Sequence, residues 1–485
     1  MRTVLRWLRR LVFAFVVVWA TLVVGGAFGA RARLPELKPW HLYVPRAEIA
    51  AADVSATTTL ADLLKREDET MAEVRSAVEG RLSAEDRGVA NRYDPESPIN
   101  PGRMPKNFNR TFDLVPGKTR GGVLLVHGLT DAPYSVRAFA ELYRDRGFYA
   151  LALRMPGHGT VPAALTKTRW EDWMAAVRVG ARHVRAKAGE GAPFHVVGYS
   201  NGGALVLSAA LEALDDKALP RPDRIVLVSP MIGITPFAAL TRTISRLGVF
   251  PYFEKAKWTD VVPEFNPYKY NSFPANAGFQ TWELTGRLQR QVKRLADAGR
   301  AGEIPKILTF ASLIDATVST PATIDRLYGR LADNGSELVL LDANRTANVR
   351  PFLGPGSATL LGRAVADRSR RYVLTVVRNE GAEAREVVTA SYAPGAAEPR
   401  VEPTGLAWPA QVYSLSHIAL PFRPDDPLFG LDPPAESRVL DLGALAPRGE
   451  KSALTVPESL WLRLASNPFF AVVEAKVAAA IDAPK

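Results

Sequence analysis

Residues Gly198-Tyr199-Ser200-Asn201-Gly202 hold a serine between two glycines. The residues before them, Phe194-His195-Val196-Val197, form an apolar run of strand length, and residues 203–211 read as a helix. A strand that turns at once into a helix presents Ser200 at its apex. A Cβ at Gly198 or Gly202 would crowd so tight a turn. The helix aims its N-terminus at the serine, where backbone N–H groups can stabilise an oxyanion. Such a site supports nucleophilic attack on an acyl carbonyl.

A serine hydroxyl is a weak nucleophile at neutral pH. It needs a base, usually histidine, and the base needs a carboxylate to fix its tautomer and stabilise its charged form. In a strand–elbow–helix architecture the chain order is nucleophile, acid, histidine. Of the six histidines, His41, His127, His158, His183 and His195 precede Ser200, and only His417 follows it. His417 ends the apolar run 411–417, read here as a strand whose C-terminal edge carries the base.

Asp315 is the expected acid, because it closes the apolar strand 306–314 and strand ends open onto the ligand crevice. Asp325, Asp333 and Asp342 are its rivals. The first two look like polar positions on a helix, and Asp342 follows a separate strand. The loop His127-Gly128-Leu129-Thr130-Asp131 follows the first strand of the repeating region. The backbone N–H groups of Leu129 and Asn201 are the expected oxyanion donors, with His127 and Gly128 shaping the loop. His158, in the turn-forming run 154–159, is read as structural.

The elements that must position these groups begin at residue 121. Strands are expected at 122–126, 148–154, 194–197, 224–229, 306–314 and 337–341. One intervening helix is capped by Ser135, and another is marked by Trp170, Trp173, Val177 and Val184. Repeated strand–helix units with apolar strands indicate a mostly parallel sheet covered on both faces. Residues 231–300 are rich in aromatics, among them Phe237, Phe250, Tyr252, Trp258, Tyr270 and Trp282, and read as an insertion over the sheet's edge. Residues 343–410 read as a second insertion, with a hairpin at 372–377 and 386–392.

Residues 11–30 carry no charge, which is long enough for a helix across a bilayer core. Arg2, Arg6, Arg9 and Arg10 precede them, favouring a cytoplasmic N-terminus and a body on the extracytoplasmic, periplasmic side. An uncut anchor is expected over a cleaved signal peptide, since the nearest A-x-A, Ala30-Arg31-Ala32, has a poor middle residue. Residues 34–110 read as a stalk with one helix at 57–79.

The net charge of +11 owes much to this end of the chain. Setting aside six arginines between positions 2 and 33 leaves 55 basic residues against 50 acidic. No basic run with interleaved aromatics follows, so a nucleic-acid role is excluded. The absence of cysteine excludes disulfides, thiolate metal sites and a cysteine nucleophile. No metal-ligand cluster such as H-E-x-x-H is present, so no metal is expected.

Together the loop at 127–129, the P-G-H-G turn at 156–159, G-Y-S-N-G at 198–202, D-A-T-V at 315–318 and His417 resemble the α/β-hydrolase superfamily. The resemblance is to sequences of the monoacylglycerol lipase, carboxylesterase and serine aminopeptidase S33 type. It implies an eight-stranded sheet, a cap over the site, no cofactor, and hydrolysis of an ester or amide. The expected division is a membrane anchor at 1–33, a stalk at 34–110, core segments at 111–230, 301–342 and 411–485, a cap at 231–300 and an insertion at 343–410. One departure stands out: relatives place the histidine a few tens of residues after the acid, and here the gap is 102 residues. A carboxylic ester hydrolase acting on hydrophobic acyl esters is the primary expectation. A peptidase or amidase using the same triad is the alternative. A non-catalytic, membrane-tethered scaffold is the rival from another class.

Overall fold

Short apolar runs bounded by turns become the strands of one sheet. They are β1 (Phe112–Leu114), β2 (Gly121–Val126), β3 (Phe148–Leu153), β4 (Phe194–Tyr199), β5 (Arg224–Val228), β6 (Lys306–Ser312), β7 (Glu337–Leu341), β8 (Val373–Asn379), β9 (Glu386–Tyr392) and β10 (Arg400–Ala407). The computed structural model describes residues 2–234, 243–410, 412–434 and 464–483. Spatial order is β1-β3-β2-β4-β5-β6-β7-β8-β9-β10. Strands β2 to β8 run parallel, β1 is antiparallel to β3, and β9 and β10 fold back antiparallel at the far edge.

The helices are α1 (Arg2–Arg33), α2 (Leu60–Ala77), α3 (Arg137–Asp145), α4 (Trp170–Ala188), α5 (Asn201–Glu212), α6 (Ala275–Asp297), α7 (Pro355–Ala366) and α8 (Phe470–Asp482). Alternate strand residues face opposite ways. Leu124, Leu151, Val196, Leu227 and Leu340 therefore share one core cluster with residues of α4, α5 and α6. Val123, Ala150, Val197, Val226 and Val339 share the other with α3 and α8. The result is a three-layer α/β sandwich, as the strand–helix alternation implies.

Four expectations change. The sheet has ten strands where eight were expected, because 343–410 extends it. Helix α7 makes a crossover and β8 pairs in parallel with β7, burying a strand edge that would otherwise be open. The largely exposed β10, with Arg400, Glu402 and Pro403, blunts the new edge. Second, the aromatic segment divides. Residues 243–274 lie outside the sheet layers, whereas α6 is the crossover that parallel strands β5 and β6 require. Phe237 lies outside the described residues, as does much of 411–485.

Third, 34–110 is folded against the body and does not form a free stalk. Trp40 stacks on Tyr93, and both share a cluster with Val161 and Trp258. Glu48 accepts two hydrogen bonds from the buried Arg154, at 3.0 and 2.7 Å. Fourth, residues 412–417 form no strand. Strand β7 already pairs with β6 and β8, so no edge is left for them. Smaller shifts are at ends: β6 stops at Ser312, and a 3-10 turn, Pro133–Val136, precedes α3.

Candidate active site

The turn between β4 and α5 forces Ser200 to φ 53° and ψ −116°. A side-chain-bearing residue adopts that region only under strain, on the order of 1–3 kcal/mol. The surroundings hold it there. The Ser200 N–H donates to the Val228 carbonyl at 2.9 Å, and the Ser200 carbonyl accepts from Gly203 and Met231. The flanking glycines are obligatory. A Cβ on Gly202 would lie 2.2 Å from the Val126 carbonyl oxygen, and one on Gly198 would lie 2.5 Å from that of Gly202.

The loop after β2 passes beside the serine. A Cβ on Gly128 would sit 3.2 Å from the Ser200 Cβ. The Met155 N–H donates to His127 Nε2 at 3.1 Å, so the ring proton is on Nδ1, which donates to the Gly128 carbonyl at 2.8 Å. In a trans peptide the carbonyl and the next N–H point opposite ways. His127 thereby turns the Leu129 N–H away from itself. Burial, then the neighbouring His158, holds the His127 ring far below its usual pKa, so it stays neutral. His158 donates through Nδ1 to the Pro156 carbonyl at 3.0 Å, and burial pushes it down to about 3. Both rings serve the backbone.

Asp131 was not singled out from sequence, yet it closes this loop. Its carboxylate accepts from the Ala132 N–H at 2.9 Å and also engages Gly128 and Ser135. Burial pushes its pKa up to about 6. Tyr270 ties the segment after β5 to the same loop. Its N–H donates to the Thr130 carbonyl at 2.7 Å, and its hydroxyl meets Thr160 and Gly157.

Asp315 lies three residues beyond β6. Its Oδ1 accepts from the N–H groups of Thr317 and Val318. His417 Nδ1 stands 3.8 Å from that oxygen, with the Asp315 side chain almost fully buried. The His417 ring lies 6.3 Å from the Tyr199 ring, interplanar angle 25°. Two of the three rival acids are otherwise engaged: Asp342 forms a two-pronged pair with Arg345 at 2.7 and 2.8 Å, and Asp325 pairs with Arg363. The structure thus brings His417 against Asp315 and beside the residue preceding Ser200. It also brings Gly128 against Ser200.

Residues 117–264 match the family described as serine aminopeptidase, S33. The thermostable monoacylglycerol lipase of Bacillus sp. (strain H-257) is 26% identical over 221 residues, 45% of this chain and 80% of that enzyme. Among solved structures, the monoacylglycerol lipase of Paleococcus ferrophilus shares 19% identity, covering 48% of this chain and 89% of its own, with a TM-score of 0.35. A structure from a study of the metagenome-derived lipolytic enzymes LipS and LipT shares 21% identity, covering 53% and 96%, with a TM-score of 0.37. Residues 117–264 thus form a segment similar to the serine aminopeptidase S33 family, within a mostly parallel sheet of the α/β-hydrolase kind.

Proposed function

We propose that this protein is a membrane-tethered serine hydrolase of carboxylic esters with hydrophobic acyl groups. The observation that carries the reading is the strained Ser200 at the head of α5, with the His417–Asp315 pair beside the adjoining Tyr199. Ser200 attacks the acyl carbonyl and His417 takes its proton. Asp315 orients the imidazole and stabilises its charged form. The tetrahedral oxyanion is held by the N–H groups of Leu129 and Asn201. His417 then protonates the leaving alcohol. Water, activated by the same histidine, attacks the acyl-enzyme and frees Ser200. The His417–Asp315 separation of 3.8 Å exceeds hydrogen-bond length. Such contacts tighten in substrate complexes. The chemistry asks for no metal or cofactor.

Substrate class follows from the relatives. The Bacillus enzyme is named a monoacylglycerol lipase, so acyl glycerols are the first substrates to try. The family description names an aminopeptidase, which keeps amide hydrolysis as a second reading. Helix α1 is long and apolar enough to cross a bilayer. With arginines ahead of it, it holds the body on the extracytoplasmic face. Turnover of monoacylglycerols, p-nitrophenyl esters of graded length and aminoacyl anilides tests the reading. Ester hydrolysis abolished by Ser200→Ala supports it, and hydrolysis of anilides alone favours the second reading. A folded wild type inert on all three contradicts both.

A further inference from the structure

The last turns of α1 are docked onto the segment that follows β5. Ala27 and Ala30 are buried against Ile244, Leu247, Phe253 and Ala256. A Cβ on Gly26 would lie 2.7 Å from Ile244 Cδ1, so the small residues at 26, 27 and 30 set a close approach. The Phe28 ring meets those of Phe253 and Tyr252 at 5.1 and 6.2 Å. Arg31 lies 4.0 Å over the Tyr252 ring and donates to the Tyr252 carbonyl at 3.1 Å. Lys255 reaches the Leu34 carbonyl at 2.7 Å.

That docking fixes a level. Residues 11–30 rise about 30 Å as a helix, matching a bilayer core of about 30 Å. Phe28 and Arg31 therefore mark the outer boundary of the hydrocarbon, and Tyr252 is held beside them. The same short segment leaves three apolar or aromatic side chains exposed. Val249 is 74% exposed, Phe250 58% and Tyr252 54%. Arg31 lies over Tyr252, and Arg246, Lys255 and Lys257 flank the exposed residues in sequence, with Glu254 paired to Lys257 at 3.0 Å. Apolar and aromatic tips rimmed by cations suit the interface of a bilayer carrying anionic headgroups.

We propose that residues 247–253 are seated in the outer membrane–water interface, so that α1 and this segment grip the bilayer as one unit. The segment emerges from β5 and rejoins the Ser200 region through the Tyr270–Thr130 bond. Seating it would hold the catalytic rim at the lipid surface, within reach of an amphiphilic ester that never leaves the membrane. This inference rests on α1 being a retained membrane helix.

The chain has no cysteine, so single probes can be introduced cleanly. Full-length Phe250→Cys, Tyr252→Cys, Leu22→Cys and Glu190→Cys variants are labelled with an environment-sensitive fluorophore. They are reconstituted into phosphatidylcholine–phosphatidylglycerol vesicles containing spin-labelled lipid. Positions 250 and 252 should show blue-shifted emission and at least twofold quenching by headgroup-proximal spin labels. Position 22 should be quenched by deeper labels, and position 190, in the loop before β4 at the end of that strand away from Ser200, should remain in water. Quenching at 22 without quenching at 250 and 252 overturns the seating and leaves the anchor standing. Water-like emission at 22, 250 and 252 alike overturns both, as does loss of residues 1–30 from the mature protein. A blue shift at 250 without quenching by lipid signals burial against a second copy and also overturns the proposal.

Discussion

The backbone N–H of Asn344 donates to the carbonyl of Tyr413 at 2.8 Å, joining residues 69 apart in sequence. Asn344 leaves the end of β7, and Tyr413 belongs to the segment that delivers His417. The Asn344 side chain adds a bond to the Val412 carbonyl at 3.2 Å and accepts from Asn379 at 3.1 Å. The chain thus departs the sheet's rim, builds α7, β8, β9 and β10, and returns to where it left. The 102-residue gap between Asp315 and His417 is a detour along the sheet with its two ends clamped together.

Loosening that clamp should misplace the base without removing it. Asn344→Ala is expected to lower kcat about tenfold, equivalent to about 1.4 kcal/mol, with KM little changed. Steady-state kinetics on a soluble ester checks this. An unchanged kcat would mean that 412–417 is held by other contacts.

The acid can be identified by contrast. Asp315→Asn should reduce kcat by about four orders of magnitude, because the imidazole loses its orienting charge. Asp342→Asn breaks a pair with Arg345 and should chiefly affect stability. Equal kinetic losses from the two variants would contradict the assignment of Asp315.

Strain at the elbow should be visible in stability. Ser200→Gly removes the Cβ from a position at φ 53°, where glycine is at ease. It should raise stability by about 1 kcal/mol while abolishing activity, and Ser200→Ala should not. Denaturant midpoints of the three proteins decide it. A Gly variant less stable than the Ala variant would remove the strain argument.

Asp131 gives a pH signature. Its folded pKa of about 6 lies above its ordinary value of 3.8. The preference for the folded state is complete below the lower value and is lost as pH rises through the upper one. Two pH units correspond to about 3 kcal/mol, as an order of magnitude. Asp131→Asn mimics the protonated acid, so its thermal stability should exceed wild type by more at pH 8 than at pH 5. Comparing the two proteins cancels the contributions of His127 and His158. A difference independent of pH would show that Asp131 does not titrate in this range.

Much of the core was legible because its signals are local. Gly198 and Gly202 flank Ser200 within five residues, and the apolar runs of β2, β4, β5 and β7 are continuous, as buried parallel strands are. What was missed depends on distant partners. Residues 372–377 read as half of a hairpin, and nothing near them reveals that the strand they form, β8, also pairs in parallel with β7. Helix α6 read as cap because its aromatic neighbours dominate the composition, although its own Leu284, Leu288, Val292 and Leu295 face the core. Glu48 and Arg154 look like solvated charges until 106 residues of chain fold to bring them together. His417 was found by elimination, but the apolar run before it suggested a strand. With β7 paired on both sides, that run becomes a clamped loop.

The central claim is that Ser200 is a nucleophile activated by His417, and a fluorophosphonate probe tests it most directly. The folded wild type should be labelled at a single residue, located by peptide mass spectrometry as Ser200. Ser200→Ala should show no labelling, and His417→Ala should label at least a thousandfold more slowly. A folded wild type that resists the probe, or labelling whose rate is indifferent to His417, would contradict the account.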